Sequence, residues 1–200
     1  MTRWYTEKKH EHYYKEAKKT GYRARSAFKL KQINKKFNIL KNGDYVVDLG
    51  AAPGGWSQIA KEIIGENGKL IGVDILPILP LENVVFLQAD MTKDSTIEEI
   101  KKIFENKKVD AVISDMSPDV SGNYSVDQAR SIYLCMQALK TAETLLKPGG
   151  NFICKVFEGE DLREFMEGIR PKFKIVKQYH PKASRKSSSE VYIVTKLYNS

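Results

Sequence analysis

The sequence predicts one doubly wound α/β domain with a basic extension at its start. Three observations carry that prediction. From residue 45 onward, short and nearly continuous apolar runs alternate with stretches of helical periodicity. Runs that are apolar on both faces suit a parallel sheet covered by helices on each side. The chain has 200 residues, enough for a single domain whose core needs no disulfide or metal staple.

The elements follow in order. Residues 1–20 show no clear apolar period and read as an arm or a marginal helix. After Ser26, the residues Phe28, Leu30, Ile33, Phe37 and Leu40 fall near helical spacing, with lysines between them, and Asn42-Gly43 closes this basic amphipathic helix. Strands are expected at 45–49, 70–74, 84–87, 109–114 and 152–157, and helices at 56–64, 96–106, 126–146 and 161–169. Lys147-Pro148-Gly149-Gly150 stops the long helix. Two last strands, 173–178 and 191–196, have no helical pattern between them and are expected to form an antiparallel pair at one end of the sheet. The organisation is thus a basic arm and helix, 1–41, belonging to the same domain as the body, 42–200.

Charge sharpens this division. The formal net charge is +8, but residues 1–41 carry +10 and residues 42–200 carry −2. A basic arm on a near-neutral body suggests a polyanionic partner. Within the body, residues 170–186 hold seven Lys and Arg and no acid, so a fold that joins the two segments would make one basic surface. Lys8, Lys9, Arg23 and Arg25 are the expected nucleic-acid contacts on one side, and Lys182, Arg185 and Lys186 on the other. Two cysteines, Cys135 and Cys154, without a CxxC, exclude a disulfide scaffold, and no metal is expected. No apolar run reaches the roughly 18 residues of a membrane span, and the polar start has no signal-peptide core. A reducing, cytoplasmic setting is expected.

In an open α/β sheet, ligands bind beyond the carboxyl ends of the strands. There the sequence places the turn Gly50-Ala51-Ala52-Pro53-Gly54-Gly55, then Asp74, Asp90 and Asp115, with Asp48 inside the first strand. The glycine-rich turn lets backbone approach a ligand and aims a helix N-terminus at it. Asp74 lies near the distance at which an acid binds a ribose hydroxyl in dinucleotide folds. A nicotinamide oxidoreductase accounts for those two features, but not for Asp90 or for Ser114-Asp115-Met116-Ser117-Pro118, and the G-x-G-x-x-G spacing is missing. An adenosine ligand without a pyrophosphate, carrying a sulfonium among several carboxylates, fits better; S-adenosylmethionine has that chemistry. Lys155 stands inside an apolar strand, where an ammonium is costly unless paired. C5 methylation of a pyrimidine needs a cysteine nucleophile, and Cys154 alternates to the face opposite Lys155. Amine methylation usually goes with an Asn/Asp-Pro-Pro-aromatic loop, absent here. A ribose hydroxyl remains the best-fitting acceptor.

Five segments carry a resemblance: residues 21–30 (GYRARSAFKL), 47–58 (VDLGAAPGGWSQ), 114–118 (SDMSP), 155–159 (KVFEG) and 189–194 (SEVYIV). On them the chain resembles the FtsJ/RrmJ family of ribose 2′-O-methyltransferases, most closely its bacterial-type members acting on large-subunit ribosomal RNA. The resemblance implies a Rossmann-like S-adenosylmethionine-dependent methyltransferase fold, with a mostly parallel seven-stranded sheet and an antiparallel last strand. It also implies a catalytic tetrad of Lys29, Asp115, Lys155 and Glu190, and donor contacts from Gly54, Trp56, Asp74, Asp90 and Asp115. From the residues alone, Asp48, Gly50 and Gly55 join that donor set. The expected partner is RNA, in the large ribosomal subunit, bound by a monomer. A tRNA anticodon loop, an mRNA cap, or RNA binding without catalysis during ribosome assembly are the alternatives.

Overall fold

The computed structural model describes residues 13, 15–17, 19–185 and 188–199. The elements are α1 (Ala27–Phe37), β1 (Tyr45–Leu49), α2 (Gly55–Ile64), β2 (Lys69–Asp74), β3 (Val85–Gln88), α3 (Asp94–Ile103), β4 (Val109–Ser114), α4 (Tyr124–Leu145), β5 (Leu146–Phe157), α5 (Asp161–Ile169), β6 (Phe173–Tyr179) and β7 (Glu190–Tyr198). A 3-10 turn, Arg170–Lys172, joins α5 to β6. The seven strands form one sheet in the order β3-β2-β1-β4-β5-β7-β6. β7 runs antiparallel to both β5 and β6, so the last strand in sequence is inserted one place in from the edge.

Strand alternation divides the core in two. Val47, Leu49, Ile71, Val73, Val112, Cys154 and Val156 face a core shared with α3, α4 and α5. Val46, Leu70, Ala111, Ile113, Ile153, Tyr192 and Val194 face the other, shared with α1 and α2. The helix of the basic segment is therefore part of the body: Leu30 and Ile33 of α1 have no exposed surface. Among the described residues, no helix is long and apolar enough to cross a membrane.

Several boundaries differ from expectation, each for a local reason. α1 stops at Phe37 because Asn38 turns left-handed (φ 52°) and the Asn34 side chain accepts from the Ile39 and Leu40 amides, satisfying donors a longer helix would use internally. α4 begins two residues early, where Asn123 accepts from the Val126 amide as an N-cap. α3 ends by Ile103, since Glu105 and Asn106 take positive φ. β5 begins at Leu146, before the expected breaker, with an irregularity in its pairing to β4 before Asn151. β3 sits at the sheet edge and is only half-buried, whereas a fully buried strand was expected.

Candidate active site

The site follows from which side of the sheet each strand end serves. On β4, Ala111 and Ile113 face α1 and α2, and the same alternation carries Asp115 to that side. On β5, Ile153 and Lys155 share it, while Cys154 and Val156 point into the opposite core. β7 pairs Tyr192 directly with Lys155 and Glu190 with Phe157, so Glu190 and Tyr192, two residues apart, project there as well. α1 lays Lys29 over the same strand ends.

Four charged side chains drawn from across the sequence meet as two ion pairs. Lys29 Nζ bonds Glu190 Oε1. Lys155 Nζ donates to the Asp115 carbonyl at 2.6 Å and lies 3.3 Å from Asp115 Oδ1. Lys29 and Lys155 are only 4% and 9% exposed, so an unpaired ammonium in either place would be costly. Burial pushes the Glu190 carboxyl up, but the charge and hydrogen bond of Lys29 outweigh it and hold the group below its ordinary value. Tyr192, with no exposed surface, donates its hydroxyl to Asp115 Oδ1 at 2.6 Å. Its ring stacks on Trp56 with centroids 5.7 Å apart, and Lys29 Nζ sits 5.7 Å from its centre. Burial, followed by the charges of Asp115 and Glu190, pushes the phenol well above its ordinary value, so it remains a donor.

Beside this cluster, around the carboxyl ends of β1, β2 and β4, lies a cleft of about 530 Å³ whose lining includes Gly50, Asp74, Asp90, Asp115, Met116 and Ser117. Asp115 belongs to both cleft and cluster. At Gly50 the backbone has φ +71°, and a Cβ would come 2.1 Å from Met116 Cγ, so glycine lets that side chain close over the turn. Asp74 Oδ2 accepts from the Ala52 amide and Oδ1 from the Leu76 amide, both at 2.9 Å. Asp90 Oδ1 accepts from the Thr92 amide and hydroxyl, bonds that hold the carboxyl below its ordinary value. A carboxylate offers about four acceptor sites, so both retain capacity for a ligand. With Asp119, four carboxylates line this cleft, which suits a ligand that carries hydroxyls, amines and positive charge.

Other expected donor contacts lie elsewhere. Asp48 is fully buried outside the cleft lining; Oδ2 accepts from Ser57 Oγ at 2.7 Å, and Oδ1 has no partner among the described residues. Burial pushes its carboxyl up to about 7 against the Ser57 hydrogen bond, helped by the charges of Asp115 and Asp74. Gly54, Gly55 and Trp56 face the segment before α1. A Cβ on Gly54 would meet Arg23 Nη1 at 2.7 Å, one on Gly55 would meet Ala24, and Trp56 Nε1 donates to the Ser26 carbonyl. The reason is that residues 21–26 cover the first turn of α2, a contact between distant segments that spacing does not reveal.

Of the expected RNA contacts, Lys8, Lys9 and Lys186 lie outside the described residues. The two basic segments do meet: Phe28 packs with Ala183, and the Ala183 amide donates to Gln32 Oε1. Lys182 and Arg185 are exposed on that loop, while Arg25 is half-buried. Burial, then the neighbouring charge of Arg185, pushes the Arg25 guanidinium below its ordinary value. Arg23 differs from expectation: its guanidinium donates to the carbonyls of Leu79 and Pro80 at 2.6 and 2.7 Å, and to Pro53 at 3.4 Å. Sequence reasoning gave no role to Tyr192 or Met116. Tyr192 had a signal, its two-residue spacing from Glu190 on one strand face; Met116 had none.

Comparison with known proteins agrees with this geometry. The model of the FtsJ-like methyltransferase family matches residues 22–198. A Methanosarcina acetivorans protein named ribosomal RNA large subunit methyltransferase E is 50% identical over 188 residues, covering 94% of this chain and 68% of the relative. A Methanocaldococcus jannaschii protein of the same name is 46% identical, over 98% of this chain and 82% of its own. A crystal structure of a Plasmodium falciparum protein, provisionally described as a ribosomal RNA methyltransferase, superposes with a TM-score of 0.80 at 29% identity, covering 88% of this chain and 98% of that one. The matched span contains every charged residue of the cluster and every carboxylate of the cleft, and the chain belongs to the FtsJ-like methyltransferase family.

Proposed function

We propose that this protein transfers a methyl group from S-adenosylmethionine to a ribose 2′-hydroxyl of large-subunit ribosomal RNA, at a uridine. The observation that carries the reading is Asp115, which lines the carboxylate cleft and also holds the buried lysine Lys155. S-adenosylmethionine, when bound, supplies a methyl group already activated on a sulfonium. Asp74, Asp90 and Asp115 would hold its hydroxyls and amines and suit its positive charge.

The chain's own residues then act on the acceptor. Lys155, fixed through the carbonyl and carboxylate of Asp115, orients the hydroxyl toward the cleft. Holding two reactants in line supplies a large part of the acceleration for a reaction whose leaving group is already good. As the hydroxyl oxygen takes the methyl it gains positive charge, which Asp115 and Glu190 stabilise until its proton passes to solvent. Lys29 and Glu190 neutralise one another, so the cluster carries no excess charge to repel RNA. Cysteine-based attack on a base finds no support: Cys154 is buried in the opposite core, and Cys135 is buried with its thiol on the Lys155 carbonyl at 2.8 Å. The neighbouring charge of Arg185 adds to the cost of the Arg25 charge, and an RNA phosphate placed there would relieve that repulsion.

The target is tested by incubating the protein and labelled S-adenosylmethionine with large ribosomal subunits, free ribosomal RNA and tRNA. Label entering large-subunit RNA is expected. Label entering tRNA alone would keep the chemistry and overturn the target.

A further inference from the structure

We infer that Arg23 is a positioning residue for the methyl-donor cleft rather than an RNA contact. It is a latch by which the basic segment holds the cleft's outer wall. The inference rests on the functional reading above for the identity of the ligand, and on geometry alone for the latch.

The connection between β2 and β3 begins at the cleft, where Ile75 and Leu76 are part of the lining. Its residues are poorly placed to hold themselves. Ile75, Leu76 and Leu79 are 69%, 58% and 76% exposed, so apolar packing contributes little there. Near β2 the connection is tied by Asp74 to the Leu76 amide and by Gln88 to the Ile75 carbonyl. Farther out, Arg23 donates to Leu79 and Pro80, two neighbouring carbonyls caught by one planar fork. The same Nη1 reaches Pro53 in the glycine-rich turn, so a single side chain joins the turn after β1 to the connection after β2. Those two segments flank the cleft.

Arg23 is itself anchored. Its amide donates to Gln58 Oε1 at 2.8 Å, and Gln58 Nε2 donates to the Gly21 carbonyl at 3.1 Å, so one side chain of α2 grips the backbone at and just before the residue. Gly54 leaves the guanidinium its space, since a Cβ there would lie 2.7 Å from Nη1. An arginine with its donors on carbonyls is poorly placed to neutralise a phosphate, and one that spans two cleft walls fixes their separation.

The experiment compares the wild type with Arg23→Ala and Arg23→Lys. Lysine keeps the charge and loses the fork. Amide hydrogen exchange of the ligand-free protein reads the latch without any ligand. Faster exchange at residues 75–82 is expected in both variants, with the core strands unchanged. Calorimetric titration with S-adenosylhomocysteine is expected to weaken by about tenfold in Arg23→Ala, as loss of charge-assisted hydrogen bonds predicts. Steady-state kinetics should show KM for the donor raised with kcat little altered, while RNA binding stays within about twofold, as expected for a group making no phosphate contact. Unchanged exchange at 75–82 would overturn the latch. Unchanged donor affinity with weakened RNA binding would return Arg23 to the RNA surface. A wild type that binds no S-adenosylhomocysteine, yet shows the exchange difference, would keep the latch and remove the functional reading.

Discussion

Tyr192 shows how a residue with no charge of its own governs a charged site. Its hydroxyl bonds Asp115 Oδ1, the carboxylate that also holds Lys155. Tyr192→Phe keeps the ring on Trp56 and removes that bond alone. A hydrogen bond to a charged group contributes about 1.5–3 kcal/mol. The variant is expected to lose about ten- to a hundredfold in kcat with donor affinity nearly intact, read by steady-state kinetics and calorimetry. An unchanged kcat would remove Tyr192 from the site's machinery. Asp48 gives a second prediction, on stability. Its folded carboxyl titrates at about 7, above the ordinary unfolded value near 3.8. Between those two values the folded state holds a proton that the unfolded chain has released, so stability falls as pH rises through that window and levels off above it. Asp48→Asn, which cannot ionise, should gain on the wild type steadily from about pH 4 to pH 7, by an amount on the order of a few kcal/mol, in denaturant unfolding at several pH values. A constant difference across that range would show that Asp48 titrates normally.

Elements were easier to foresee than the contacts between them. The parallel strands, the long α4 and the reversed β7 all follow from apolar runs, periodicity and breakers that act within a few residues. Lys155 stood out because an ammonium inside an apolar strand breaks the pattern of its own element, and pairing turned out to explain it. The ends of α1 and α4 were less legible, because one side chain, Asn34 or Asn123, settled them by capturing backbone amides. The covering of α2 by residues 21–26 was not legible at all. It turns the Trp56 and Arg23 side chains toward each other's segments, and it depends on contacts about 30 residues apart in sequence. The turn after β1 carries the prediction at this scale. Gly50→Ala places a Cβ against Met116 at a positive φ. It should destabilise the fold by about 1–2 kcal/mol, the cost of a left-handed conformation for an L-residue, and weaken donor binding by displacing Met116 into the cleft. Thermal unfolding and S-adenosylhomocysteine titration read the two effects, and a variant unchanged in both would mean that the turn relaxes freely.

At the scale of the molecule, the net charge of +8 resolves into a basic segment and a slightly acidic body. The fold brings the basic segment and the 182–185 loop together beside the cluster of paired lysines and carboxylates, through Phe28, Ala183 and Gln32. RNA binding through phosphates releases counterions, so affinity should fall steeply with salt. Lys182→Ala is expected to reduce the slope of log affinity against log salt by about 0.7 for a single-stranded target, with no change in donor binding. A slope unaffected by this change would place the RNA on another face. The central claim is that the paired lysines and carboxylates at the strand ends direct methyl transfer to a ribose oxygen. Its most direct test is nucleoside mass spectrometry of large-subunit RNA after reaction with the wild type and with Lys155→Ala. The account predicts a 2′-O-methylnucleoside from the wild type and none from Lys155→Ala, which should still bind S-adenosylhomocysteine. A methylated base from the wild type, or a 2′-O-methylnucleoside formed as readily by Lys155→Ala, would contradict it.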